Sequence, residues 1–342
     1  TDGQTFHLAL SFESQGGAPF FGQPLFTVEV REDQTRGQVS SSRVFVDNGG
    51  SEDKKDEFLA LVDHYEVTTT PCDGITLLQI DETFLPMNSN AAIEAIPSYH
   101  TEQLKEGEGN VIWTIYLKNG DTLRLRHTVR ITRVPVVTLT ENDYPMATVD
   151  DLNVLLDTLA HEADRKSVYI LQLPAVTYEG GLTMKNFCCD LIGSEGGTTF
   201  TGTVTIATRG IHPSNITNVR FVGDGTGIGL SASEGAFLHR CTFENWEIGA
   251  YGGLGSWVNA TGCTFRGNGV GLWLDNRGGA TCSGSYYGDS VYEDNGTAVR
   301  IAAMPGTETL DFNNCVFRGN GVNVENAAGY TADLSQIVTA DN

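Results

Sequence analysis

Basic clusters, long apolar runs and paired cysteine motifs are all missing from this chain of 342 residues. Lys and Arg total 21 against 43 Asp and Glu, a formal charge of −22. Phosphate groups are bound by clustered Lys and Arg, so neither nucleic acid nor an anionic membrane surface is expected as main partner. No apolar run approaches the roughly 18 residues of a spanning helix, so no membrane span is expected. Only 10 prolines are present, which excludes a collagen-like chain despite abundant glycine. The 7 cysteines form no C-x-x-C pair, so a zinc site is not expected. The acidic loop Asp47-Asn48-Gly49-Gly50-Ser51-Glu52-Asp53 lacks the D-x-[DN]-x-[DN]-G spacing of a calcium loop and reads as solvated. No cofactor and no metal are therefore expected. The chain starts Thr1-Asp2-Gly3 without Met, which fits a mature form with its signal segment removed.

What is present is globular in composition, with 40 % hydrophobic and 19 % charged residues. Glycine is the excess, 40 residues against roughly 24 at ordinary usage. It concentrates in the C-terminal half, and the last lysine is Lys185. The texture changes near Val134-Pro135-Val136-Val137. Two domains are expected, 1–136 and 137–342.

The first region reads as a small, mostly antiparallel, sandwich-like β domain. Candidate strands are Phe6–Glu13, Leu25–Arg31, Arg43–Asp47, Phe58–Thr68 and Gly74–Ile80. Val111–Lys118 and Thr122–Arg133 flank Asn119-Gly120, a strong hairpin signal. A three-residue loop with a glycine bulge, pairing Leu117 with Leu123, brings the apolar sets of both strands to one face. Arg124, Arg126 and Arg130 then line the other face, either simply solvated or as a ligand site.

The C-terminal half repeats itself. An aromatic recurs at Phe221, Phe243, Phe265, Tyr292 and Phe317, at spacings of 22, 22, 27 and 25 residues. An Asn-Gly or Asp-Gly turn follows most of them, then a second short strand. A fixed period with insertions marks a solenoid. A period near 22 without helix fits a coil of three short parallel strands. Equivalent residues then stack about 4.8 Å apart in columns, and glycines supply positive φ at the corners.

The columns can be read by alternation. The aromatics point inward. So do Val219, Cys241, Cys263, Ser290 and Cys315, two residues earlier, which makes these cysteines small buried free thiols. One residue after the aromatic, Val222, Glu244, Arg266, Glu293 and Arg318 point outward as a charge ladder. Eight residues after it, Gly229, Tyr251, Trp273, Arg300 and Glu325 also point outward. Tyr251 and Trp273 would form a flat aromatic surface with Arg300 above and Asp275 and Arg277 beside it. Sugar rings stack on such surfaces while polar neighbours bind hydroxyls. These five residues are the candidate ligand-binding set. The insertion Asn276–Ser290 would wall the same groove.

Upstream, Tyr169–Pro174, Gly181–Met184, Phe187–Gly193 and Gly202–Ala207 look like earlier coils. Before them Thr148-Val149-Asp150-Asp151 is a capping box, and Leu152, Leu155, Leu156 and Leu159 recur at helical spacing. A helix around 148–163 would cover the open end of the bore.

The capping helix, the Phe-x-x-Asn-Gly coils and the ~22-residue period together resemble the right-handed parallel β-helix superfamily of pectate-lyase-like proteins, across roughly residues 145–330. The resemblance implies an all-β solenoid with a cap helix and an extracellular or cell-surface location. Similar proteins include polysaccharide lyases, glycoside hydrolases, phage tailspikes and surface proteins. The N-T-D, G-H-G and R-x-K motifs of polygalacturonase-like enzymes are absent, and Asp-Asp occurs only in the cap, at Asp150-Asp151. No catalytic residue is therefore assigned. The expected function is binding of a glycan or cell-surface ligand without catalysis. The alternatives are a divergent polysaccharide lyase or glycoside hydrolase, and a tailspike-like or structural adhesin.

Overall fold

The computed structural model describes residues 6–13, 19–21, 25–33, 36–38, 42–47, 53–71, 79–80, 93–95, 97–100, 107–162, 167–185, 189–207, 213–253, 255–276, 287–303, 309–327, 329 and 331–340. The chain divides into two compact units, Thr1–Pro135 and Val136–Asn342.

The first unit is mostly antiparallel. One sheet orders Pro19–Phe21, His7–Glu13, Ser42–Asp47 and Ile93–Ala95. The other four-stranded sheet orders Leu25–Arg31, Thr122–Val134, Gly107–Leu117 and Val62–Pro71, with one parallel pair between the first two, and a short three-stranded sheet orders Arg36–Gln38, Pro97–His100 and Gln79–Ile80. Leu10, Val44, Val46 and Ile93 from one sheet and Val111, Trp113, Ile115 and Val129 from the other form a single core.

The hairpin has the expected loop but another register. Gly120 sits at φ +90°, its N–H donates to Leu117 O, and Leu117 N–H donates to Asp121 O. Leu117 therefore closes against Asp121, and Leu123 faces Ile115, not Leu117. The apolar sets still share a face, because the register differs by a whole period of two. A second correction concerns Phe58–Thr68. Asp53–Leu61 is a helix, and the strand begins only at Val62. The helical stretch has Asp53 and Asp56 in its first turn and no β-branched residue, which suits a helix N-terminus. Of Gly74–Ile80, only Gln79–Ile80 lies among the described residues, as a strand; the loop 48–52 lies outside them.

The second unit is a parallel solenoid. Three sheets run along it: a first of six strands from Val136–Leu139 to Trp257–Thr261, a second of eight from Thr177–Tyr178 to Val338–Ala340, and a third of seven from Leu182–Lys185 to Val322–Asn326. Seven aromatics stack up the bore: Tyr178, Phe200, Phe221, Phe243, Phe265, Tyr292 and Phe317. Their ring centroids are 4.5–6.0 Å apart and nearly parallel. A second stack, Tyr287 on Phe312 at 4.9 Å, was not evident in the sequence.

The corners explain the Gly, Asn and Asp content. Two left-handed residues flank each aromatic-bearing strand of the middle coils. One lies three residues before the aromatic, at Gly197, Asn218, Arg240, Gly262, Asp289 and Asn314. The other lies two after it, at Asn245, Gly267, Asp294 and Gly319. The glycines of the Asn-Gly pairs have a different job from the one expected. Gly269, Gly296 and Gly321 are not left-handed; a Cβ on each would sit 2.7 Å from a carbonyl oxygen of the preceding coil. The asparagines before them form a buried ladder. Asn268 Nδ2 donates to Asn295 Oδ1 and to Phe243 O, and Asn295 Nδ2 donates to Asn320 Oδ1 and to Phe265 O.

The inward column before the aromatics also bonds. Cys241, Cys263 and Cys315 are free and buried. Their thiols donate to Ile216 O, Leu238 O and Tyr287 O, and Ser290 Oγ donates to Ala260 O in the same way. Burial pushes the Cys315 thiol up to about 11. Cys72, Cys188 and Cys282 lie outside the described residues.

The ends close differently. At one end the helix Val149–Glu162 buries Leu152, Leu155, Leu156 and Leu159 against the bore. Its capping box forms reciprocally: Asp151 N–H donates to Thr148 Oγ1, and Thr148 N–H donates to Asp151 Oδ2. At the other end, Thr339 follows Phe317 in register and Asn326 follows Ile301, so polar side chains end two core columns. A polar outer coil is what a solenoid needs to stop.

Candidate functional site

The third sheet carries most of the residues the sequence singled out. Pairing from coil to coil aligns Thr183, Thr205, Ser231, Tyr251, Trp273, Arg300 and Glu325 in one outward column. Ser231, not Gly229, occupies the position before Tyr251. The turn leaving Phe221 (Gly223 to Gly227) is two residues longer than the turn leaving Phe243, so counting from the aromatic misplaced it.

Tyr251 and Trp273 do not form a flat surface. Their rings meet edge to face, centroids 5.6 Å apart at 83°. The Arg300 guanidinium lies 4.7 Å from the Trp273 ring centroid and donates through Nε to Glu325 Oε2 at 2.8 Å. Tyr251 Oη donates to Asp275 Oδ2 at 3.3 Å. Two shapes force this packing. Tyr251 is followed by Gly252-Gly253, and its ring lies across Gly253, where a Cβ would come within 2.8 Å of it. The register slips between Leu274 and Asp275, which turns Asp275 back toward the neighbouring coil. Asn276, buried, then reaches back to Ser256 O and accepts from Gly255 N–H.

The result is a connected polar and aromatic cluster on one outward face. Four of the five candidate residues, Tyr251, Trp273, Asp275 and Arg300, come together there; Arg277 lies outside the described residues, as does most of the insertion that follows. The Trp273 indole N–H is shielded from solvent and has no acceptor among the described residues. Chemically the cluster offers an indole face shared with a cation, a phenol, and two carboxylates. That is a hydrogen-bonding and CH–π surface for a hydroxylated ligand.

The column continues where sequence reading did not follow it. Thr183 at its start belongs to a recess of about 250 Å³ lined also by Asn153, Leu156, Asp157 and Lys185. Asn153 of the cap helix donates to Gly181 O and accepts from Thr183 N–H, satisfying backbone groups at the sheet edge. The pairing of Thr183 with Thr205 was hidden in the sequence, because these coils lack the Asn-Gly signature.

Several ionisable groups elsewhere have structural partners. Glu244, the first carboxylate of the outward ladder, accepts from both Arg220 and Arg266, and Glu293 pairs with Arg318. In the first unit Trp113 Nε1 donates to Ser42 Oγ, which contacts His127 Nδ1 at 3.4 Å. Both Ser42 and His127 are buried, and burial pulls the imidazole down to about 4. A serine without access is not a nucleophile, so this contact is core chemistry. Among the described residues no group of three or more His, Cys, Asp or Glu is placed to hold a metal, and no helix is long and apolar enough to cross a membrane.

Comparison with known proteins agrees on architecture. Residues 191–337 match a family model described as a right handed beta helix region. No curated protein sequence matches the chain. Among solved structures, the Family 28 exopolygalacturonase of Yersinia enterocolitica aligns at 9 % identity over 98 % of this chain and 83 % of that one, with a TM-score of 0.21. So low a likeness bears on neither fold nor activity.

Proposed function

We propose that this chain, whose second unit is a right-handed parallel β-helix of the pectate-lyase-like superfamily, binds a neutral or weakly charged glycan at an extracellular or cell-surface location, without cleaving it. One observation carries the reading. Tyr251, Trp273, Asp275 and Arg300 form a single contacting cluster on an outward sheet face. Aromatic rings edged by hydrogen-bonding groups suit sugars, which present apolar C–H faces and peripheral hydroxyls. The charge of −22 disfavours a strongly anionic polysaccharide.

Catalysis is the second reading, and the ladder argues against its simplest form. Glycoside hydrolysis needs two carboxylates about 5–10 Å apart, one of them able to act as acid. Glu244 and Glu293 share a column but are each held by arginine. A glycan array probed with the wild-type chain and with Trp273→Ala tests the binding reading. The expected outcome is a signal on neutral glycans that falls at least tenfold in the variant. A signal that Trp273→Ala leaves unchanged removes this cluster as the site. Release of reducing ends or unsaturated products from a polysaccharide panel would replace binding with catalysis.

A further inference from the structure

The first unit carries an open sheet edge. In the sheet built around the hairpin, Thr122–Val134 lies between Gly107–Leu117 and Leu25–Arg31. Its two neighbours cover it unequally. Gly107–Leu117 pairs with it from Thr122 to Ile131, whereas Leu25–Arg31 pairs only from Thr128 to Val134. Among the described residues, the half from Thr122 to His127 therefore has a strand on one side alone.

Hydrogen-bond parity tells which groups face the open side. Leu117 N–H donates to Asp121 O, so the odd-numbered residues of Thr122–Val134 bond toward Gly107–Leu117. The even-numbered ones face the other way, where Val134 O accepts from Glu32 N–H. Thr122, Arg124 and Arg126 thus turn their backbone N–H and C=O groups to the open edge, and none of the three finds a backbone partner there among the described residues. The side chains continue the pattern. Arg124 and Arg126 are exposed on the outer face, about 7 Å apart along the strand. Neither guanidinium has an ion-pair partner among the described residues, whereas Arg130 on the same face is held by Glu108. On the inner face Leu123 and Leu125 pack against the core but are only half-buried.

We propose that this edge accepts an extended peptide strand from another protein, about six residues long, whose carboxylate side chains alternate with apolar ones. Main-chain bonds to Thr122, Arg124 and Arg126 supply affinity in the manner of strand addition. The carboxylates meet Arg124 and Arg126 on the outer face, and the apolar side chains cover Leu123 and Leu125 on the inner one. Charge selects the partner, because two adjacent guanidiniums without counter-charge attract an acidic strand at short range even on a chain of −22. Leu25, paired with Thr128, sets the length: the six residues from Thr122 to His127 leave roughly 20 Å of edge. Charged residues also serve to keep strands off an edge, and the experiment separates the two roles.

The test is a fluorescence-polarisation titration of the full chain with a labelled peptide of alternating Glu and Val. Binding is expected to fall at least tenfold in Arg124→Glu/Arg126→Glu, and that variant is expected to bind a peptide of alternating Lys and Val instead, which also shows that it is folded. N-methylation of the peptide removes the backbone donors. Methylating the Glu amides is expected to abolish an antiparallel addition and methylating the Val amides a parallel one, so one of the two methylated peptides should lose at least tenfold while the other binds. Binding that survives both methylations, or that a sulfated polysaccharide matches, reduces the edge to a charged patch and overturns the proposal. No binding to the wild-type chain overturns it too, and self-association of Arg124→Ala/Arg126→Ala would then assign the arginines to guarding the edge.

Discussion

Single residues in this protein do more backbone work than their types suggest. The buried cysteines and Ser290 act alike, each donating across to the preceding coil. That column was legible as small and inward, but its hydrogen bonds depend on carbonyls that only the stacked geometry presents. His127 is a residue-scale case in the first unit. Its Nδ1 faces Ser42, which receives the Trp113 N–H, and its ring also bonds to the Leu10 backbone. Burial holds its folded pKa near 4, below the ordinary 6.5. The unfolded state therefore binds the extra proton between those values, and stability is complete above 6.5 and lost as pH falls toward 4. The loss attributable to this group is on the order of 3 kcal/mol. Denaturant unfolding from pH 7.5 to 4 is expected to show that fall, with a shallower slope in His127→Gln. Identical slopes would remove His127 as the cause.

At the scale of elements, the repeat was readable because stacking forces the same residue types into the same column. Phe221, Phe243, Phe265, Tyr292 and Phe317 gave both the bore and the period, and Thr148 to Asp151 marked the cap. Tyr178 and Phe200 extend the same stack but escaped notice, since their coils carry no Asn-Gly turn. The Gly229 error has a related origin: a sequence offset tracks a column only while turn length is constant. The two kinds of glycine separate in the same way. Gly296 has ordinary φ but no room, with Gly269 O 2.7 Å from a built Cβ. Gly267 has φ +65° and open space around it. Gly296→Ala is therefore expected to cost about 1–3 kcal/mol through overpacking. Gly267→Asn is expected to stay within about 0.5 kcal/mol, because asparagine tolerates this conformation and Asn245 already holds it in the preceding coil. Guanidinium unfolding of both variants reads the difference; equal costs would contradict the division of labour.

For the whole molecule, the excess glycine and the acidity now have places. Glycine marks left-handed corners and the close approach of stacked coils, and part of the charge is tied into the ladder of Glu244, Arg266, Glu293 and Arg318. Alternation in the sequence put four of the five candidate residues, Tyr251, Trp273, Asp275 and Arg300, on one sheet face, because it decides inward from outward. It could not give their packing. The edge-to-face rings and the Arg300 cap follow from Gly252-Gly253 and from the slip at Asp275, which are three-dimensional facts. The most direct trial of the central claim is a crystal structure of the full chain soaked with a saturating neutral hexasaccharide. Sugar density is expected on the third sheet, against Tyr251, Trp273 and Arg300. Density on either of the other two sheets with this face bare, or no bound sugar at all, would contradict it.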